Sequence, residues 1–125
     1  MELAANKKVV VQVRSLMTDN KIYKDSNLRL ESLAEIVGVS TSTLSKAINS
    51  VTGKNFNNYV NEFRVKEAVR LIGKIPYDTR FVHGFYKQVG FQSRASFYRT
   101  FKKVTGTTPA EYKRQKCLER AAKAK

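Results

Sequence analysis

Leu33-Ala34-Glu35-Ile36-Val37-Gly38-Val39-Ser40 comes back, at an offset of 52, as Phe85-Tyr86-Lys87-Gln88-Val89-Gly90-Phe91-Gln92. Leu44-Ser45-Lys46-Ala47-Ile48 comes back as Phe97-Tyr98-Arg99-Thr100-Phe101, Val51-Thr52-Gly53 as Val104-Thr105-Gly106, and Tyr59 as Tyr112, each at an offset of 53. The second copy therefore carries one extra residue at the turn. Apolar positions, both glycines and the closing tyrosine agree, which makes the chain an internal repeat.

Each copy has the pattern of two helices around a short turn. In the first, Leu30, Leu33, Ala34 and Val37 fall at helical spacing. Gly38 supplies the positive φ that ends a helix, and Ser40 is a good cap for the next one. That next helix turns Leu44, Ala47, Ile48 and Val51 inward, turns Ser42, Thr43, Ser45, Lys46 and Asn49 outward, and ends at Gly53. In the second copy Phe85, Val89 and Gly90 do the first job and Ser93 caps. Phe97, Phe101 and Val104 face inward, Arg94, Ser96, Arg99, Lys102 and Lys103 face outward, and Gly106 stops the helix. A single helical hairpin can imitate a helix-turn-helix. Two copies, each with a polar or basic second helix, point to a nucleic-acid reader much more strongly.

The other elements connect these units. Val9, Val13, Leu16 and Met17 favour a first helix from Lys7 to about Thr18, although Val9-Val10-Val11 is also β-prone. Asn55 caps a long helix from Phe56 to about Ile72, which Gly73 and Pro76 break. Asp78-Thr79 can cap the next helix. Thr108-Pro109-Ala110-Glu111 is a capping box with proline at the first helical position, so a last helix runs from there to about Arg120. The fold class is all-α, with about seven helices and two helix-turn-helix subdomains joined by a long linker helix. The expected divisions are residues 1–54, a linker helix over 55–74, a second subdomain over 75–120 and a basic tail over 121–125.

The chain has 125 residues, with 24 Lys+Arg against 10 Asp+Glu and a formal net charge of +14. This length fits one domain or two very small ones. Residues 1–50 carry seven basic and five acidic side chains, a net +2; residues 51–125 carry 17 and five, a net +12. So much positive charge implies an anionic partner, with nucleic acid the first candidate. The single Cys cannot make an internal disulfide, and the single His cannot anchor a metal cluster. His83 stands alone, Cys117 has no partner base, and there is no glycine-rich phosphate loop. No enzyme, metal or cofactor is therefore expected. No apolar run approaches the roughly 20 residues that span a bilayer, and no signal peptide is present, so the expectation is a cytoplasmic protein with no membrane partner. A sequence-independent nucleic-acid binder would explain the charge, but not two recognition-type helices with different polar faces. An interaction domain without DNA affinity is opposed by the +12 of the second half.

The stretch Gly90-Phe91-Gln92-Ser93-Arg94-Ala95-Ser96-Phe97-Tyr98-Arg99-Thr100-Phe101-Lys102-Lys103-Val104-Thr105-Gly106-Thr107-Thr108-Pro109-Ala110-Glu111-Tyr112 resembles the DNA-binding domain of AraC-type (arabinose-operon-regulator) transcription factors. Leu33-Ala34, Gly38, Ser40, Leu44-Ser45, Gly53, Arg64 and Ala68 fit the same family, and the resemblance runs from about residue 8 to about residue 117. There are departures. Phe85-Tyr86 stands where the family has Ile-Ala, so Tyr86 must point elsewhere or push helices apart. His83-Gly84 puts a glycine in a helix, at about 1 kcal/mol against Ala. Arg29 stands where a Ser or Thr cap is expected, so the first unit's leading helix is expected to begin loosely.

The resemblance implies a bacterial transcriptional regulator, or the DNA-binding output domain of a larger one. Its two recognition helices would enter successive major grooves of double-stranded DNA at a promoter. By matching positions, the first would present Thr41, Ser42, Thr43, Ser45, Lys46 and Asn49, and the second Arg94, Ala95, Ser96, Tyr98 and Arg99. Arg94 and Arg99 suit bidentate contact to guanine, and Asn49 suits adenine. Lys54, Lys102, Lys103 and Lys113 would take phosphates. RNA polymerase is an implied partner, as is a sensor or receiver domain that this chain does not carry. A stand-alone member and an excised C-terminal domain both remain open.

Overall fold

The computed structural model describes residues 2–74 and 84–123. Among them lie seven α-helices and one 3-10 turn. These are α1 (Glu2–Thr18), the 3-10 turn (Ile22–Lys24), α2 (Leu30–Val37), α3 (Thr41–Thr52), α4 (Phe56–Lys74), α5 (Phe85–Gln88), α6 (Arg94–Thr105) and α7 (Pro109–Lys123). The all-α expectation holds. Pro76, the Asp78-Thr79 cap and His83 lie outside the described residues. The chain forms two compact units, Met1–Phe63 and Arg64–Lys125.

The first unit is built around α1, which packs most extensively on α3. Val13, Met17, Leu33, Leu44 and Ile48 are fully buried there, with Tyr23, Ala34, Tyr59 and Val60 beside them. Burying one such aliphatic side chain contributes about 1.5–3 kcal/mol. This packing settles the β-prone Val9-Val10-Val11: Val10, Val13 and Met17 are buried at three- and four-residue steps while Val11 is 67% exposed, as a helix requires. α1 also starts five residues earlier than the expected Lys7. The 3-10 turn had no legible helical period, and it sets Tyr23 against Phe63, with ring centroids 6.0 Å apart. The Tyr59 ring meets Phe63 edge-on at 5.1 Å.

Burial pushes the Tyr59 phenol above its ordinary value, with the Arg14 charge pulling partly the other way. The folded state thus favours the neutral phenol, and that stabilisation is complete below the unfolded value near 10 and fades as pH rises through it. Thermal melts above about pH 10 should therefore show a steeper loss for the native chain than for Tyr59→Phe.

In the second unit Phe97 and Phe101 are fully buried with Val65, Ala68, Ile72 and Val89, and Phe85 and Phe91 complete the cluster. Phe101 contacts Tyr112 edge-on at 5.7 Å, as Tyr59 contacts Phe63 in the first unit. The turn residue Phe91 is 3% exposed. Its counterpart Val39 is only half-buried, so the second turn carries a ring into the core where the first does not.

The helix boundaries repeat their chemistry. Ser40 Oγ accepts from Thr43 N–H at 3.1 Å, and Ser93 Oγ accepts from Ser96 N–H at 3.1 Å. Gly38, Gly53, Gly90 and Gly106 all take positive φ. Thr52 and Thr105 each donate back to the carbonyl four residues earlier, Ile48 O at 2.6 Å and Phe101 O at 2.8 Å. Each threonine hydroxyl also accepts from a following amide, that of Lys54 or Thr107. Each hydroxyl thus ties a carbonyl of the last helical turn to an amide just past the helix end. Asn55 Oδ1 caps α4 through Asn58 N–H at 2.8 Å, as expected. Ser93→Ala should lower stability by about 1 kcal/mol in a thermal melt, the usual worth of an N-cap.

Several expectations need correction. Val51 and Val104 are not inward: they are 36% and 44% exposed, because the last turn of each helix runs past its core. α2 does not begin loosely. Arg29 offers no side-chain cap, but Ser32 Oγ accepts from Arg29 N–H at 3.1 Å and donates to Arg29 O at 2.9 Å. Gly84 stands directly before α5 with helical backbone angles (φ −83°, ψ −11°), and the residues ahead of it lie outside the described ones. Tyr86 neither leaves nor splits the core; it is half-buried against the second cluster, with Lys87 Nζ 5.9 Å from its ring centroid. α7 continues to Lys123, so residues 121–123 belong to a helix and not to a loose tail.

Candidate nucleic-acid interface

α3 and α6 present comparable faces for one reason. Both start at a serine cap, bury an apolar stripe of fully enclosed side chains and end at a left-handed glycine. The remaining positions must then face away from the core. On α3, Thr41, Ser42, Thr43, Lys46 and Asn49 are exposed, and Ser45 is half-buried. On α6, Arg94, Ala95, Arg99, Lys102 and Lys103 are exposed, and Ser96 is half-buried. Tyr98 differs from its expected role: it leans on Phe97 with centroids 5.8 Å apart and packs against the second cluster. Neither helix has an acidic residue in its first turn, so the partial positive charge of each N-terminus is not offset there. Lys102 and Lys103 occupy the last turn of α6, where cations complement the helix dipole.

Some of the cations already have partners within the chain. Lys54 pairs with Glu62, although its side chain stays 44% exposed. Arg70 pairs with Glu67, and Arg114 with Glu111. The largest correction concerns Lys113. The sequence placed it on a phosphate, but it is 1% exposed and its Nζ donates to Ile72 O at 3.0 Å. Arg120, also on α7, donates to Gly73 O. Two cations seven positions apart thus satisfy carbonyls in the last turn of α4, where unpaired carbonyls carry the negative end of the dipole. Lys113 follows Pro109 by four residues and so shares its helix face, which the structure buries at both positions.

Sequence reasoning also missed a neighbour of α3. Leu3 and Asn6 of α1 line an open groove with Ser45, Lys46, Asn49 and Asn55. Among the described residues no group of three or more His, Cys, Asp or Glu could hold a metal ion. No helix there is long and apolar enough to cross a membrane.

The model of a family described as a helix-turn-helix domain matches residues 33–115, which takes in both capped helices. The chain belongs to this helix-turn-helix family, of AraC type. The AraC-type chain is 35% identical over 106 residues to an uncharacterised helix-turn-helix-type transcriptional regulator of Pseudoalteromonas carrageenovora, covering 84% of this chain and 59% of that protein. It spans less than two thirds of the length of the curated relatives it matches first. Among solved structures it is similar to the C-terminal domain of AraT, a response regulator from Geobacillus stearothermophilus. That likeness has a TM-score of 0.73 at 29% identity and covers 86% of this chain and 84% of that one. The DNA-binding domain of AdpA, solved in complex with a target DNA, has the same fold, with a TM-score of 0.72 at 23% identity over 93% of this chain and 96% of that one.

Proposed function

We propose that this AraC-type chain is the DNA-binding unit of a sequence-specific transcriptional regulator, acting in the cytoplasm, with α3 and α6 each entering a major groove of one duplex. The observation that carries this is the pair of serine-capped helices whose buried stripes fix two differently decorated outer faces. Thr41, Ser42, Ser45, Lys46 and Asn49 read bases from α3, and Arg94, Ala95, Ser96 and Arg99 read them from α6. Lys54, Lys102 and Lys103 take phosphates. The target-DNA complex of the AdpA domain supports this partner for the shared fold. The whole regulator engages RNA polymerase and answers to a sensor domain outside this chain, and no catalytic step is assigned to it.

The test is selection of bound duplexes from random DNA, followed by a salt titration of the enriched site. A single shared motif is expected. With three phosphate-contacting lysines, log K should fall against log salt with a slope of about −3, at roughly 0.9 per phosphate contact. Retention of DNA without any shared motif would mean a sequence-independent binder. A flat salt titration would remove DNA as the partner.

A further inference from the structure

We propose that the groove between the N-terminal end of α1 and the outer face of α3 seats a phosphodiester segment of the duplex that α3 reads. The inference rests on α3 being a recognition helix. Leu3, Asn6, Val10, Val13 and Met17 follow one another at three- and four-residue steps, so they form one stripe of α1. Val10, Val13 and Met17 are buried, and α1 packs on α3 along this stripe. The stripe then outruns the core. Leu3 is 55% exposed and Asn6 half-buried, and both face Ser45, Lys46 and Asn49 across a groove of about 580 Å³.

The chemistry of that groove suits an anion. Besides Ser45, Lys46 and Asn49, its lining among the described residues carries the carboxamides of Asn6 and Asn55 and the Ser50 hydroxyl, and no carboxylate. Asn55 spends its Oδ1 on the α4 cap, which leaves its NH2 end to donate. Lys7 and Lys8, both exposed, follow Asn6 directly. The geometry points the same way. A helix about 10–12 Å across fills a major groove about 12 Å wide. An element standing beside such a helix therefore meets the sugar–phosphate strand that walls the groove, not the base edges. Leu3 at the rim would lie against a deoxyribose.

The experiment uses the full chain with a duplex carrying the enriched site and a scrambled duplex of equal length. Asn6→Ala should weaken binding to both by the same factor, roughly ten- to hundredfold, the worth of one hydrogen bond to a charged group. Asn6→Lys should bind both more tightly and steepen the log–log salt slope by about 0.9. Val11→Lys is the control, because Val11 is exposed on the side of α1 that faces Ile36 and Val37 of α2; its slope should match the native chain. An unchanged slope in Asn6→Lys, or a loss in Asn6→Ala confined to the enriched duplex, would overturn the assignment. Lys46→Ala separates the two levels of the argument. If it weakens binding while the Asn6 variants match the native chain, the groove is empty and the reading of α3 survives. If the Lys46 and Asn6 variants all match the native chain, α3 is not a reader and the inference falls with it.

Discussion

Arg94→Ala is expected to weaken binding to the enriched duplex by roughly five- to hundredfold, equivalent to about 1–3 kcal/mol for one bidentate base contact. Arg94 is the first residue of α6, directly after the Ser93 cap, and it is exposed. The N-terminal residues of a recognition helix are the ones that reach base edges. A guanidinium has a rigid fork of donors that matches the two acceptors of guanine, so its loss removes discrimination as well as affinity. Equilibrium titration against single-base variants of the site should show preference vanishing at one base pair and surviving elsewhere. Ser45→Ala should cost much less, because Ser45 is half-buried on a nearly neutral face. A larger loss from the serine change would reverse the assignment of most affinity to the second unit.

Lys113→Met is expected to do the opposite kind of damage. Replacing Lys113 removes the donor to Ile72 O, and a hydrogen bond to a charged group contributes about 1.5–3 kcal/mol. Methionine can fill the space of the lysine stem but leaves the carbonyl at the negative end of α4 unsatisfied. The melting temperature should fall by several degrees, while the salt slope of DNA binding stays that of the native chain. Lys102→Ala should show the mirror image. Lys102 is exposed on α6, so its loss should flatten the slope by about 0.9 and leave the melt nearly unchanged. A flattened slope in Lys113→Met would return that residue to the phosphate contacts.

The contrast between these lysines marks how far the sequence could be read. Periodicity and boundary signals were enough for α2, α3, α6 and α7, because Gly38, Ser40, Gly53, Ser93 and Gly106 act locally and leave a local mark. The buried stripes Leu44–Ile48 and Phe97–Phe101 followed from spacing alone. What escaped was set by contacts distant in the chain. Lys113 answers a carbonyl 41 residues away, and no local pattern announces such a partner. Tyr98 and the two exposed valines misled for a related reason: helical spacing gives a direction but not the point where a core stops. The groove beside α3 depends on α1 lying against it, which the sequence of either helix alone cannot reveal.

The doubled set of helix start and stop signals has an evolutionary consequence. Ser40, Ser93, the two threonine hydroxyls and the terminal glycines hold each rod in place without help from its outer residues. Substitutions at Ser42, Lys46, Asn49, Arg94 or Arg99 can therefore accumulate with little penalty to folding. Target preference is free to drift separately in each half, and a lineage carrying this scaffold could acquire a new operator one half-site at a time.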